Sequence, residues 1–155
     1  MVEQKTKAYI APGAVVMGDV VLEEDVSIWY NAVLRGDSGT IRVGRGTNIQ
    51  DNCVIHEKTV IGEYCTVGHG AIVHGCTIGS NTMVGMGAIV LTGAVIGENC
   101  LIGAGSLVTG KMNAPDGSLV LGNPAKVVKP VSEEQLEDIR KDALDYIRLA
   151  REMLK

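Results

Sequence analysis

All three histidines of this 155-residue chain lie between positions 56 and 74. His56 and His74 are 18 residues apart, and His69 falls between them. A neutral imidazole binds zinc at about 2.0–2.1 Å, and three imidazoles leave a fourth position open, where the pKa of a bound water falls to about 7. The residue types therefore favour a metal site if the fold brings the rings together. Three unrelated surface histidines are the alternative hypothesis.

The fold that must position these rings is indicated by an aliphatic residue at every sixth position. The series slips twice, because three residues are added at 38–40 and one is lost between Val73 and Ile78. Glycine often follows the aliphatic residue directly, and a small or β-branched residue stands two places before it. The series comprises Ile10, Val16, Leu22, Ile28 and Leu34, then Val43, Ile49, Ile55, Ile61, Val67 and Val73, then Ile78, Val84, Val90, Ile96, Ile102 and Val108.

This period predicts an all-β solenoid, in which three hexads close one triangular coil of about 18 residues. The aliphatic residue points inward, and successive coils stack at about 4.8 Å. The 20 glycines and the absence of Phe are consistent with a narrow, repeating interior. We expect a parallel β-helix of about six coils over residues 1–112, a connector over 113–131 and a C-terminal helix over 132–155, all in one domain.

The C-terminal residues have the signals of an amphipathic helix. Ser132 and Gln135 form a capping box, and Glu133 and Glu134 favour the positive end of the helix dipole. We expect the helix to pack along the solenoid, in its own chain or a neighbour's; a partner-binding helix is the alternative. Its apolar stripe comprises Leu136, Ile139, Ala143, Ile147, Ala150 and Leu154.

The repeat also assigns an orientation to each candidate site residue. His56 and His74 directly follow inward aliphatic residues, so both point outward from adjacent coils about 4.8 Å apart. Two imidazoles at that spacing can reach one metal. Arg35 belongs to the same column one coil earlier. His69 lies at a corner and points from a different edge, so the site is predicted to be completed across a threefold interface.

The cysteines and the bulk composition indicate no further chemistry. Cys53, Cys65, Cys76 and Cys100 each lie two residues before an inward aliphatic position and form no CxxC pair, so we expect buried packing thiols in a reduced compartment. A net charge of −4 offers no footprint for nucleic acid. No long apolar run suggests a membrane span or a leader peptide, so we expect a cytoplasmic protein.

Several segments resemble the gamma-class carbonic anhydrases and their homologues, some of which are named ferripyochelin-binding proteins or hexapeptide-repeat transferases. They are SIWYNAVLRGD (27–37), NIQDNCVIH (48–56), GHGAIVHGC (68–76) and GNPAK (122–126). The resemblance implies a homotrimer of left-handed β-helices with one metal at each subunit interface. Its ligands are His56 and His74 of one chain and His69 of the neighbour. Zinc is expected, and iron or cobalt also suits imidazole ligands.

The resemblance further assigns three residues beside the metal. Arg35 and Asp37 match a pair thought to bridge the interface, and we favour this anchoring role for Arg35 over bicarbonate binding. Gln50 matches the glutamine beside the metal-bound hydroxide, where it orients the hydroxide or the substrate.

The proton shuttle is where this sequence departs from the family pattern. The acidic loop of the methanogen type has no counterpart here, and Ser38 replaces an expected acid, so turnover is expected to be slow. Glu57 is either a substitute shuttle or a solvated corner residue. Tyr146 on the C-terminal helix is a further candidate near the site.

Reversible hydration of carbon dioxide to bicarbonate is therefore the first functional hypothesis. A metal-binding scaffold or assembly subunit without efficient catalysis is the second. The third is a hexapeptide-type acyltransferase or thioesterase. An acyltransferase needs a catalytic histidine and usually a protruding loop, whereas all three histidines here are assigned to the metal and the largest slip is three residues.

Overall fold

The computed structural model describes residues 1–4 and 7–154, which form a parallel β-solenoid of about six turns followed by one helix. This architecture confirms the predicted solenoid and the predicted C-terminal helix. The strands in chain order are β1 (Val2–Gln4), β2 (Tyr9–Ile10), β3 (Val15–Leu22), β4 (Ser27–Ile28), β5 (Val33–Val43), β6 (Asn48–Ile49), β7 (Val54–His56), β8 (Thr59–Ile61), β9 (Thr66–Val67), β10 (Ile72–His74), β11 (Thr77–Ile78), β12 (Met83–Val84), β13 (Ile89–Val90), β14 (Val95–Ile96), β15 (Leu101–Ile102), β16 (Leu107–Val108), β17 (Asn113–Ala114), β18 (Ser118–Gly122) and β19 (Ala125–Pro130); the helix is α1 (Glu133–Met153).

Strands of successive turns pair in register and build three faces. On the first face, β7, β10, β13 and β16 follow the first part of β5, and on the second face β8, β11, β14 and β17 follow its last part. The third face contains β2, β4, β6, β9, β12, β15 and β18, with β19 antiparallel at its edge. Strands β3 and β5 are long because they continue around the corner between the first two faces.

The inward aliphatic residues form the core, as the hexad pattern predicts. Ile28 and Ile49 are paired in register and have no exposed surface, and Ile55 is equally buried. Ile10 departs from the pattern, since it is 38% exposed. It pairs with Ile28 on one side but belongs to the terminal turn, so no further turn covers its other side.

The predicted end of the solenoid at residue 112 is wrong. Strand β17 pairs with β14, and β18 pairs in parallel with β15, so the predicted connector over 113–131 contains two further solenoid strands and the reversing strand β19. The hexad period in fact continues through Ala114 and Val120, both buried. A small residue at Ala114, among glycines and prolines, hid the continuation from a pattern based on large aliphatic residues.

Helix α1 lies along the third face of its own chain and contacts β4, β6 and β9. The predicted capping box is present, since Ser132 Oγ accepts from the Gln135 backbone N–H and Gln135 Oε1 accepts from the Ser132 N–H. At the other end, Arg151 donates two hydrogen bonds to Asp25, at 3.1 and 2.7 Å. The helix is thus capped at its N-terminus and tied to the solenoid near its C-terminus. Residue 155, the last of the predicted helix, lies outside the described residues.

The four cysteines are free and buried, which confirms their predicted packing role. Burial raises the pKa of Cys65 to about 11 and that of Cys76 to about 12. Such thiols stay protonated near neutral pH and are poor nucleophiles. In the part of the chain that is described, no helix has the length and apolar character that a membrane span requires.

Candidate metal centre

A pair of imidazoles lies at the outer surface of the first face. Strands β7 and β10 pair with His56 directly opposite His74. His56 Nδ1 is 3.2 Å from His74 Nε2, and the two rings meet edge to face with centroids 5.1 Å apart. In a tetrahedral site with metal–nitrogen bonds of about 2.0–2.1 Å, two ligand nitrogens lie about 3.3–3.4 Å apart. The facing nitrogens therefore have the spacing of two ligands on one metal.

An oxygen atom lies against the second nitrogen of each ring. His56 Nε2 is 3.0 Å from Asp37 Oδ1 and 3.3 Å from Ser38 Oγ. His74 Nδ1 is 2.8 Å from Thr92 Oγ1. Histidines that bind metals usually have such an outer partner, which sets the tautomer and the ring orientation. The donor set thus fits a metal between the two facing nitrogens.

Strand β5 brings Arg35, Asp37 and Ser38 to this pair. Arg35 lies opposite His56 in the register, and its guanidinium donates to Asp37 Oδ2 at 3.0 Å within the same chain. Residues 38–40, the first slip, lie in β5 between the part that pairs with β7 and the part that pairs with β8. Desolvation raises the pKa of Asp37, but the His56 hydrogen bond and the Arg35 charge outweigh it, so this pKa lies below its ordinary value.

Glu57 lies in the same cluster rather than pointing away from it. It occupies the corner after β7 with φ +62°. Ser38 Oγ donates to Glu57 Oε1 at 3.0 Å. One ligand atom each of His56, Glu57 and His74 lie within 4.8 Å of one another. A carboxylate is therefore available beside the imidazole pair.

His69 lies apart from that cluster within one chain, as it is not among the residues grouped around the imidazole pair. Its Nδ1 is 2.8 Å from Asp51 Oδ2, its side chain is 46% exposed, and its backbone N–H donates to Gln50 Oε1. The Gln50 amide also donates to Asn48 Oδ1 at 3.1 Å. Gln50, only 6% exposed, is therefore held rigidly beside His69.

A groove of about 570 Å³ lies between the third face and α1, and Gln50, His69 and Tyr146 line it. The Tyr146 ring packs edge to face on Trp29, with centroids 5.3 Å apart. Burial raises the pKa of Tyr146, and the charge of Asp51 adds to the shift. Tyr146 thus belongs to the His69 side of the molecule. The rest of the lining is largely apolar and includes Met83, Met86, Leu101, Leu119 and Leu121.

The sequence analysis did not identify two residues that contact histidine nitrogens, Asp51 at His69 Nδ1 and Thr92 at His74 Nδ1. Asp51 directly follows Gln50, but nothing in the hexad phase shows that its carboxylate reaches His69. Thr92 lies 18 residues after His74. That spacing does not reveal the contact, because the slip after His74 pairs Val73 with Val90 and makes Leu91 the neighbour of His74 in the hexad phase.

Comparisons with known proteins find relatives of similar sequence and solved structures of the same fold. The family "Bacterial transferase hexapeptide (six repeats)" matches residues 40–75 and 75–110. The chain is 51% identical over 145 residues to "Probable carbonic anhydrase" of Methanocaldococcus jannaschii, covering 91% of each protein. It is 41% identical to "Gamma carbonic anhydrase 1, mitochondrial" of Arabidopsis thaliana, covering 94% of this chain but only 56% of that protein.

Among solved structures, a hexapeptide transferase family protein from Anaplasma phagocytophilum superimposes with a TM-score of 0.96 at 45% identity. That match covers 99% of this chain and 93% of the other.

Proposed function

We propose that this chain, which belongs to the gamma-class carbonic anhydrase family, hydrates carbon dioxide reversibly at a metal shared between two subunits of a homotrimer. Family membership makes it a carbonic anhydrase-like lyase. The observation that carries the proposed metal site is the 3.2 Å distance between His56 Nδ1 and His74 Nε2. The oxygen partners on both outer nitrogens support it.

The metal would be held by His56 and His74 of one chain and by His69 of a second copy. His69 cannot complete the set from its own chain, and it is half-exposed with Asp51 against its Nδ1, which leaves Nε2 for a ligand bond. Zinc is the expected ion, with iron or cobalt as alternatives. When bound, such an ion lowers the pKa of a water to about 7 and so supplies the nucleophile at neutral pH.

The chain's own residues orient and hold the reacting groups. Gln50 is held by Asn48 and by the His69 backbone of its own chain. Its amide therefore orients the water or the carbon dioxide at the site to which that His69 contributes, beside His56 and His74 of the other chain. Asp37 orients His56, and Arg35 holds Asp37 within the same chain. The anchoring of the subunit interface by Arg35 remains a prediction from the family resemblance. Tyr146 lines the groove beside His69 and supplies a hydroxyl group there.

The released proton must leave through groups that this chain supplies. Glu57, held by Ser38, lies beside the imidazole pair. Because Asp37 is already engaged by His56 and Arg35, Glu57 is the candidate to pass that proton to solvent. Its position at a corner exposes it to water on one side. Because no acidic loop is inserted after His56, we expect slow turnover limited by proton transfer.

The test is stopped-flow carbon dioxide hydration on anaerobically purified protein whose metal content has been measured. We expect about one metal per chain, and loss of both metal and activity in His74→Ala. A metal-free monomer that hydrates carbon dioxide would contradict the proposal. Metal binding without hydration would favour a scaffold role instead.

Sharing of the site between subunits has a separate test. His69→Ala and His74→Ala chains should each be inactive, whereas their coexpression should restore about a quarter of the interfaces in randomly mixed trimers. A restored site takes its imidazole pair from a His69→Ala chain and its His69 from a neighbouring His74→Ala chain. No recovery in mixed trimers of proven composition would show that the site is not shared.

An acyltransferase, the third hypothesis from the sequence, is supported by one observation. The apolar groove of about 570 Å³ beside His69 is larger than carbon dioxide requires and falls in the size range of small-molecule pockets. A panel of acyl-coenzyme A donors tests it directly. Transfer that persists in His74→Ala would favour this candidate over hydration.

A further inference from the structure

The second slip of the hexad repeat lies directly after His74. Between the inward residues Val73 and Ile78 there are four residues, whereas five separate Val90 from Ile96 in the next turn. Strands β10 and β13 nevertheless pair in register at Val73 and Val90. The longer turn must therefore accommodate one additional residue opposite the shorter one.

That additional residue is Thr92. The Gly93 N–H donates to the Gly75 carbonyl at 2.9 Å, so the two turns are aligned again at these glycines. Only His74 lies between Val73 and Gly75, whereas Leu91 and Thr92 both lie between Val90 and Gly93. The extra residue places Thr92 Oγ1 2.8 Å from His74 Nδ1.

Gly75 leaves the space that this contact needs. Its φ is +61°, and a Cβ there would lie 2.7 Å from Thr92 Oγ1 and 2.9 Å from Thr92 Cγ2. Both distances are shorter than ordinary van der Waals contact. A glycine after His74 is thus required for the threonine to reach the ring.

We propose that Thr92 is a positioning residue that fixes the tautomer and the orientation of His74 so that Nε2 faces the metal. The inference rests on the proposed function and deepens it. A hydroxyl suits the task because it both donates and accepts. Without metal, Thr92 donates to His74 Nδ1, His74 Nε2–H donates to His56 Nδ1, and His56 Nε2–H donates to Asp37, so every nitrogen is satisfied.

The same hydroxyl serves the metal-bound state. If Nε2 of His74 is a ligand, the remaining ring proton is on Nδ1, and the threonine oxygen accepts it. Valine has the shape of threonine but can do neither. Loss of an outer partner of a ligand histidine typically weakens metal binding by about 10–100-fold.

The experiment compares Thr92→Val with Thr92→Ser and with Thr77→Val. Thr77 is an exposed threonine of β11, so its valine variant controls for the same change on the solenoid surface. Zinc dissociation constants are measured by chelator competition on the metal-free trimer. The visible absorption of cobalt-loaded protein and thermal unfolding of the metal-free protein are recorded in parallel.

We expect Thr92→Val to weaken zinc binding by about 10-fold or more, with an altered cobalt spectrum and unchanged melting. Thr92→Ser and Thr77→Val should match the parent chain. Equal zinc affinity of both valine variants, or failure of serine to restore binding, would overturn the inference. His74→Ala is the reference variant. If it binds zinc normally, the proposed metal site is wrong. If His74→Ala loses zinc but Thr92→Val binds it as tightly as the parent chain, only the positioning role of Thr92 is wrong.

Discussion

Alanine at Gly75 should separate backbone strain from loss of the Thr92 contact. Gly75 and Gly105 both have left-handed backbone, with φ of +61° and +69°. A Cβ at Gly75 meets Thr92 Oγ1 at 2.7 Å, whereas a Cβ at Gly105 has nothing within 4 Å. Gly105→Ala is therefore a matched control, because it has the same backbone strain without the steric contact.

The expected magnitudes follow from those distances. An L-residue in the left-handed region costs about 1–2 kcal/mol, so both variants should lose about that much free energy of unfolding. The obstructing atoms at Gly75 belong to one short side chain, which can rotate away and adds little to this cost. Rotation withdraws the hydroxyl from His74, so zinc affinity of Gly75→Ala alone should fall by about 10–100-fold.

Urea unfolding of the metal-free proteins gives the first quantity, and zinc competition with a chelator gives the second. Wild-type zinc affinity in Gly75→Ala would refute the reasoning about the contact. So would an equal loss of affinity in Gly105→Ala, because it would assign the effect to backbone strain at any corner.

Two further predictions concern stability. Ser132→Ala removes the capping oxygen of α1 and should lower the free energy of unfolding in urea by about 1 kcal/mol, whereas Ser132→Asp should retain most of that stability. An unchanged free energy in Ser132→Ala would mean that the capping box contributes nothing. Burial raises the pKa of the Cys65 thiol to about 11 from 9.0, so the folded thiol stays neutral while the unfolded thiol ionises. This effect is absent below about pH 9 and complete by about pH 11, so the free energy of unfolding should fall between about pH 9 and about pH 11, less steeply in Cys65→Ala. Identical slopes in both proteins would contradict this prediction.

Much of the fold was predictable because the inward position repeats locally. An aliphatic residue every sixth place defines which side chains face the core, and the pairing of His56 with His74 follows from two such positions one turn apart. The same logic placed the cysteines correctly. It failed at Ile10 and at Ala114, where the terminal turn is open and where the inward residue is small. The three-histidine metal site and the roles of Gln50 and Arg35 remain predictions.

The amino-acid sequence by itself determined the solenoid, the outward column of His56 and His74, and the membership of a known family. Only the tertiary structure decided which oxygens hold the imidazoles. Thr92 reaches His74 because neighbouring turns differ by one residue, and Asp51 reaches His69 around a corner. Such contacts depend on how each corner accommodates its residues against the turn beside it. Hexad phase assigns side chains to faces, but it does not set the distances between their atoms.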